Sequence, residues 1–287
     1  MIFDSNSKSI EQKLIVEYME ENELIFITVL DKIFSRNPNI HLYPFFKDNR
    51  VDSLITSSGY GMIHLIIKDQ YIDLAVEFLN GLNVFSIYGN MSIVDTINKK
   101  NNKKLSSECE YYVMKLTKDN FTPFTFNEFT FNEEEKEKQE EYVCLKCDSS
   151  HFKYLKKLQY LYHKEEVYRD EKNYPYYLEM SHFKRLLNNR LNYAIFKNLN
   201  NPKAVAKCNV NASSKDCYQI GGVFTLKDYR NKNIATYCVS KLMKEIFKEN
   251  SKNRVVLYVK KDNIGAIRVY EKLGFKRELE TKLLYFN

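Results

Sequence analysis

The chain of 287 residues has no tryptophan, only eight glycines and no long apolar segment. The longest early apolar run, Leu24–Leu30, is interrupted by Thr28 and is far too short to cross a bilayer. The first residues are polar and acidic, whereas a secretory signal is basic and then apolar. We therefore expect a soluble, cytoplasmic protein with no membrane partner.

The six cysteines show no pattern typical of a disulfide framework or a metal site. Without a secretion signal they are predicted to be reduced thiols. Cys144 and Cys147 form a lone Cys-x-x-Cys, but the strand-like alternation of residues 142–147 would send them to opposite faces. Zinc needs converging ligands, so we expect no metal cofactor.

The net charge of +7 is divided unevenly along the chain. Residues 138–287 carry +14 and residues 1–137 carry −7. A basic half suits a polyanionic ligand. Nucleic acid is the less favoured polyanion, because zinc-finger spacing and RNP patterns are absent and the lysines alternate with glutamate and asparagine.

The length and one charged segment predict two domains. Residues 133–141 form a run of glutamate, lysine and glutamine that indicates a solvated boundary. Before it, aromatic residues at period-two spacing favour short strands or an extended connector packing across both domains; they are Phe121, Phe124, Phe126, Phe129 and Phe131. We predict α/β domains at 1–137, including the linker, and 138–287.

The most specific pattern is Asn-x-x-Ala-x-x-x-Tyr-x-x-x-Gly-Phe, from Asn263 to Phe275. Asn263 can cap a helix, because its side-chain oxygen accepts amides of the first turn. Gly274 stands where that helix should end, in the left-handed conformation that glycine adopts cheaply. Ala266 and Tyr270 share one face of the helix, which therefore carries a small residue and, one turn later, a hydroxyl.

A second pattern lies directly upstream. Residues 218–225 are strand-like, apolar residues recur at helical spacing from Ala235 to Ile246, and residues 255–259 read as a buried strand. Such a βαβ unit is almost always right-handed, so the loop at 230–235 opens at the carboxyl edge of the sheet. A helix start presents free amides and partial positive charge, which suits a pyrophosphate.

These two blocks, in this order and at this spacing, resemble the acetyl-CoA-binding half of the GNAT superfamily of N-acyltransferases. The resemblance covers residues 218–286 and is weaker upstream. It implies an α/β (α+β) fold in the C-terminal half, with a mixed sheet whose central parallel pair is flanked by helices. It also implies an enzyme that transfers an acetyl group from acetyl-CoA to a primary amine of a small molecule or peptide, by direct attack in a ternary complex.

The resemblance assigns roles to particular residues. Tyr270 would protonate the departing thiolate, and the backbone amide of Val223 would stabilise the oxyanion. The implied CoA-binding residues are Phe224, Thr225, Arg230, Asn231, Lys232, Asn233, Ile234, Ala235, Thr236, Asn263 and Ala266. Structural interpretations stay open: Tyr270 as core packing, Asn263 as a cap alone and Arg230 as a solvated loop charge.

The chain departs from the family pattern at the loop and at the general base. Asn233 replaces the usual glycine of the loop, and Asn231 also stands where glycine is common; asparagine tolerates the left-handed backbone, but its side chain can crowd the phosphates. Residues 217–225 contain no carboxylate to serve as base. Glu179 lies upstream, where a solvated helix charge is the favoured interpretation.

The N-terminal half faintly repeats the same order of strands and helices, as in tandem members of the superfamily. It lacks both the Arg-x-x-Gly-x-Ala loop and the Asn-x-x-Ala block. We therefore predict a degenerate GNAT-like or accessory domain that covers the acceptor side or mediates pairing, so a homodimer is possible. The alternative functions are a catalytically inactive CoA-binding or scaffold module and, less favoured, a nucleic-acid-binding protein.

Overall fold

Both halves of the chain contain helices and strands. The computed structural model describes residues 10–35, 39–59, 61–125, 142–167, 174–198, 200–248 and 252–287. The N-terminal half contains α1 (Ile10–Glu21), α2 (Glu23–Phe34), β1 (Ile40–Lys47), β2 (Arg50–Ser58), β3 (Met62–Ile66), α3 (Ile72–Asn80), β4 (Ser86–Asn90), α4 (Met91–Lys100) and β5 (Leu105–Thr117). The C-terminal half contains β6 (Tyr142–Lys146), α5 (Phe152–Tyr162), α6 (Tyr176–Asn189), β7 (Asn192–Lys197), β8 (Lys203–Ser213), β9 (Cys217–Thr225), α7 (Ile234–Lys248), β10 (Arg254–Lys260), α8 (Ile264–Lys272) and β11 (Lys276–Phe286).

The C-terminal half has the mixed sheet and central parallel pair that the sequence predicted. A strand is followed by two helices, by antiparallel strands β7 to β9 and then by the βαβ unit of β9, α7 and β10. Residues 163–167 extend α5 by one π-helical turn. The proposed boundary at 137/138, the charged run at 133–141 and the aromatic residues at 126, 129 and 131 lie outside the described residues.

One eleven-stranded sheet joins the two halves, in the order β1-β2-β3-β4-β11-β5-β10-β9-β8-β7-β6. The last strand of each half pairs with the other half. β5 lies antiparallel to β10, and β11 lies antiparallel to β4. β5 and β11 also pair with each other along nearly their whole length. The halves therefore exchange their final strands, and each completes the sheet of the other.

Helix α2 forms a second connection between the halves. The apolar run that the sequence showed at 24–30 lies in this helix, and Phe26, Ile27 and Leu30 are fully buried. The helix packs against β3 of one half and against β8 and β9 of the other. Each large apolar side chain buried in this way contributes roughly 1.5–3 kcal/mol. No helix within the described ranges is long and apolar enough to cross a membrane.

Polar contacts fix the ends of α2 to the C-terminal half. Asp31 accepts two hydrogen bonds from Arg190 (2.6 and 2.8 Å) and one from the Ser213 amide (2.9 Å). Near the other end, the buried Glu23 carboxylate lies 2.9 Å from the Arg254 guanidinium. Arginine and carboxylate groups match in geometry, so these pairs set the orientation of α2.

Residues 121–125 have no regular secondary structure and run along the C-terminal half. Phe124 is 3% exposed in the core under α7, and its amide donates to the Ser240 hydroxyl (2.9 Å). The Phe121 ring packs on Phe247, with centroids 5.6 Å apart. For these two aromatic residues the extended connector, rather than a strand, is confirmed.

The end of α8 confirms the conformation predicted for Gly274, which has a φ of +94°. The amide of Phe275 donates to the Tyr270 carbonyl and that of Gly274 to the Glu271 carbonyl, which is a Schellman motif. A Cβ at residue 274 would lie 1.9 Å from the Asn120 carbonyl oxygen. The turn therefore requires glycine for both conformation and space.

We expect Gly274→Ala to lower the free energy of unfolding by about 2 kcal/mol or more, because strained backbone and a close contact both add cost. Urea denaturation followed by circular dichroism measures the change. Gly59→Ala is the matched control, since a Cβ there meets nothing within 4 Å. Equal stability of the two variants would contradict the prediction.

Candidate active site

The parallel strands β9 and β10 separate from each other after three paired positions. The ladder pairs Arg254–Val256 with Cys217–Gln219 and then stops. Beyond this point, residues 220–223 and 257–260 line a cavity of about 410 Å³. A gap between parallel strands at their carboxyl ends is a usual place for a ligand in α/β sheets.

The corresponding parallel pair of the N-terminal half stays closed. β3 and β4 pair from Met62/Ser86 to Leu65/Gly89, which is nearly their full length. A Cβ at Gly89 would lie 2.7 Å from the Leu65 carbonyl oxygen, so this glycine permits the close approach of the two strands. Between these described strands there is no gap equivalent to that of β9 and β10.

A β-bulge lies in β9 at the edge of the cavity. The register passes from Asn209/Gly221 to Lys207/Phe224, so Gly222 and Val223 together oppose one residue of β8. Gly222 has a φ of +57°, and a Cβ there would lie 2.1 Å from Asn209 Oδ1. Such a bulge redirects backbone groups at a functional site. Val223, the predicted oxyanion residue, lines the cavity.

Helix α8 brings its three predicted residues to the same cavity, which Asn263, Ala266 and Tyr270 all line. The Asn263 side chain caps the helix by accepting from the Ala266 amide (3.0 Å), and its Nδ2 donates to Glu166 (3.3 Å). The cap prediction is confirmed, and the second contact orients the side chain at the mouth of the cavity.

Tyr270 combines deep burial with access to the cavity. It is 6% exposed, and no described residue hydrogen-bonds its hydroxyl. Burial, with a smaller contribution from the neighbouring Tyr162, raises its pKa well above the usual 10. The phenol therefore keeps its proton at neutral pH, as a general acid requires.

The loop before α7 adopts the predicted left-handed conformation at both asparagines. Asn231 has a φ of +61° and Asn233 a φ of +59°, so the turn forms without glycine. Lys272 Nζ lies 3.4 Å from Asn233 Oδ1 and brings a cation beside the turn. A left-handed turn, a helix start and a nearby ammonium together fit a pyrophosphate.

The other loop residues face in different directions. Ile234 and Thr236 are buried at 1% exposure, so only their backbone amides are available to a ligand, whereas Ala235 is half-buried. Lys232 is also half-buried. None of the residues from 224 to 236 lines the cavity described above. The loop therefore lies away from the gap, along the helix start.

Arg230 makes protein contacts. Its Nε donates to the Thr225 carbonyl (3.0 Å), its Nη2 pairs with Glu165 (2.6 Å), and its guanidinium lies 5.5 Å from the centre of the Phe224 ring. Phe224 and Thr225 are themselves buried, with Phe224 under α5 and α6. A phosphate could reach this guanidinium only in competition with Glu165.

The interpretation of Glu179 as a solvated charge is wrong. Its side chain is 18% exposed, and its Oε2 lies 3.6 Å from His163 Nδ1. Burial outweighs this carboxylate and lowers the pKa of His163 to about 4. The charge of residue 179 suggested a solvent-exposed position, but the sequence could not show that His163, in the turn that extends α5, lies beside it.

The N-terminal half supplies one side of the cavity, through Met62, Ile63, His64, Phe85, Ser86, Tyr88 and Tyr111. His64 Nε2 lies 3.2 Å from the Thr28 hydroxyl, while its buried Nδ1 has no partner among the described residues. Burial lowers the pKa of His64 to about 3. On the other side, buried Gln219 Oε1 is also unpaired in the described part of the chain. No sequence signal marked these two residues.

The cysteines confirm the prediction of opposite faces. Cys144 packs in the core below α7, and Cys147 packs in the core below α5 and α6. All six cysteines are free thiols, with Cys208 and Cys238 Sγ atoms 3.5 Å apart. The described residues contain no group of three or more His, Cys, Asp or Glu that could hold a metal ion.

Comparison with known proteins agrees with this geometry. Residues 155–275 match the model of the Acetyltransferase (GNAT) family, and this part of the chain belongs to that family. Similar folds over nearly the whole chain occur in solved structures. An X-ray structure of a Drosophila protein has a TM-score of 0.61 at 10% identity and covers 98% of this chain and 91% of its own. A tandem GNAT protein from the clavulanic acid biosynthesis pathway has a TM-score of 0.57 at 11% identity (96% of this chain, 95% of its own), and a GNAT-family acetyltransferase from Colwellia psychrerythraea has a TM-score of 0.53 at 8% identity (95% of this chain, 97% of its own).

At these identities the likeness shows the fold alone, which is that of a tandem GNAT protein. No curated protein sequence matches the chain.

The buried His64 generates a prediction about pH. The unfolded chain binds a proton at His64 below pH 6.5, whereas the folded chain does so only near pH 3, so the free energy of unfolding falls as the pH is lowered through this window. Between pH 6.5 and 4 we expect the free energy of unfolding of His64→Gln to fall by about 3 kcal/mol less than that of wild type. Urea denaturation at several pH values measures this slope.

The exposed His41 provides the control, because His41→Gln should keep the wild-type slope. His163 contributes a slope of the same sign to all three proteins. A slope for His64→Gln equal to that of wild type would contradict the assignment.

Proposed function

We propose that the protein is an N-acetyltransferase that transfers an acetyl group from acetyl-CoA to a primary amine by direct attack in a ternary complex. The observation that carries this proposal is the joint presence of the Val223 bulge and the Tyr270 phenol at the gap between β9 and β10. One supplies a backbone donor for an oxyanion, and the other supplies an acid for a leaving thiolate.

The CoA moiety would bind along β9 and at the start of α7. The pantetheine arm would pair with the backbone of Val223–Thr225, where β10 has already separated from β9. The pyrophosphate would lie on the turn at Arg230–Ala235 and on the first amides of α7. The favourable charge comes from the helix dipole and from Lys272.

The chemical step follows from these positions. The neutral amine attacks the thioester carbonyl, and negative charge develops on the carbonyl oxygen near the Val223 amide. As the tetrahedral intermediate collapses, the C–S bond breaks and Tyr270 gives its proton to sulfur. The proton lost by the attacking nitrogen goes to solvent, directly or through a relay, and Tyr270 is reprotonated from there.

The acceptor would enter from the side of the cavity that the N-terminal half forms. His64 offers a neutral polar atom on that side and Gln219 offers one on the opposite side, and the side chains from the N-terminal half include the aromatic Phe85, Tyr88 and Tyr111. The N-terminal half would then serve as a non-catalytic domain that shapes the acceptor site, because its own parallel strands stay closed.

A CoA-binding module without turnover is the second candidate function. The ion pair between Arg230 and Glu165 favours this second function, because a guanidinium that is paired with a carboxylate is less available to a phosphate. Thiol release from acetyl-CoA across a panel of amines separates the two functions. CoA binding without release on any amine would support the module.

Tyr270→Phe is expected to lower kcat by about 30- to 100-fold while leaving the Kd of CoA within about twofold, because only the acid is removed. Thiol release and calorimetry measure the two quantities. Tyr154→Phe, on α5 outside the cavity lining, is the control and should keep wild-type kcat. Turnover of Tyr270→Phe that equals wild type at every pH would show that Tyr270 is not the general acid.

Asn233→Gly tests whether the loop side chain crowds the phosphates. The φ of +59° suits glycine, so the turn should be retained, and we expect the Kd of CoA to fall about two- to fivefold. Asn198→Gly changes an asparagine of similar φ (+54°) outside this loop and should leave the Kd unchanged. An unchanged Kd in Asn233→Gly would refute the crowding hypothesis.

A further inference from the structure

Lys207 is a buried lysine in the middle of β8, directly behind the bulge. It is 3% exposed, and its Nζ lies 4.9 Å from the centre of the Tyr162 ring and 5.4 Å from that of Phe183. Lysine is almost never fully buried unless it is paired. No described carboxylate lies within ion-pair distance of this ammonium, so another group must compensate its burial.

The compensating group is a backbone carbonyl. Lys207 Nζ donates to the carbonyl oxygen of Gly222 at 2.8 Å. This carbonyl belongs to the same peptide unit as the amide of Val223. In a trans peptide the C=O and N–H point in opposite directions, so the ammonium and the Val223 proton lie on opposite sides of one planar group.

We propose that the Lys207 ammonium holds and polarises the Gly222–Val223 peptide, so that the Val223 amide becomes a stronger donor to the oxyanion. This inference rests on the proposed acetyltransferase function. Lys207 is a positioning residue: it acts through the peptide and does not touch the reacting atoms.

Two physical effects act in the same direction. A hydrogen bond to the carbonyl draws electron density away from the N–H, and this cooperativity is stronger in a buried, weakly polar environment. The hydrogen bond also holds Gly222 in its left-handed conformation, on which the bulge depends. A donor that is oriented before the reaction needs no reorganisation when charge develops on the substrate.

The charge of Lys207 changes near neutral pH, because burial lowers its pKa to about 7. The titratable groups around it are the thiols of Cys208 and Cys238, the phenol of Tyr162 and the imidazole of His163. His163 has a pKa of about 4 and is neutral above it. The polarising charge is therefore present below about pH 7 and is lost above it.

The kinetic test compares Lys207→Met with Lys203→Met, which removes an exposed lysine from the same strand. We expect Lys207→Met to lower kcat about tenfold at pH 6, with the Kd of CoA within about twofold. The ratio of wild-type to variant kcat should decline towards one above pH 8. Lys203→Met should match wild type. A pH-independent ratio would indicate a merely structural role and overturn the proposal.

An activity-free test uses wild-type protein labelled with 15N-valine, with the Val223 peak assigned from Val223→Ile. We expect the Val223 amide to shift with pH in one step near neutrality, together with the 13Cε signal of Lys207. A chemical shift of the Val223 amide that does not change as Lys207 titrates would overturn the proposal. If no amine is acetylated, the proposed function fails, while the coupled titration still establishes the contact.

Discussion

The antiparallel pairing of β5 with β11 is the constraint on which the rest of the structure depends. Each strand ends one half of the chain and lies against the parallel pair of the other half. The ladder hydrogen bonds leave no free edge between the halves, so their relative orientation is set by backbone geometry. This orientation brings Met62, His64 and Tyr88 to the cavity that opens between β9 and β10.

The two halves differ where their parallel strands end. In the C-terminal half the strands separate, and the capping residue Asn263 is followed by Ala266 and Tyr270. In the N-terminal half Asn90 also caps its helix, α4, by accepting from the Ser92 amide. At the equivalent offsets this helix has Ile93 and Ile97, and Gly89 lets β3 and β4 stay together. A shared architecture has therefore kept a cavity in one half and filled the other with hydrophobic side chains.

The features that the sequence predicted correctly are those with local causes. The cap at Asn263, the left-handed Gly274 and the βαβ unit depend on neighbouring residues, so their patterns are visible in the chain. The strand exchange pairs residues far apart in sequence, for which periodicity contains no information. The sequence led to a wrong prediction of exposure for Glu179 and gave no indication that Lys207 is buried. The reason is related, because the burial of a charged side chain depends on which elements pack over it.

The exchanged strands also determine the order in which the molecule can be assembled. β4 ends at Asn90, but β11, which pairs with it, begins only at Lys276. A ribosome must therefore synthesise most of the chain before the sheet of the N-terminal half can be completed. Until then β4 presents an unpaired edge, a template for association with other chains. The sheet of the N-terminal half can therefore be completed only after residues 276–286 have been synthesised.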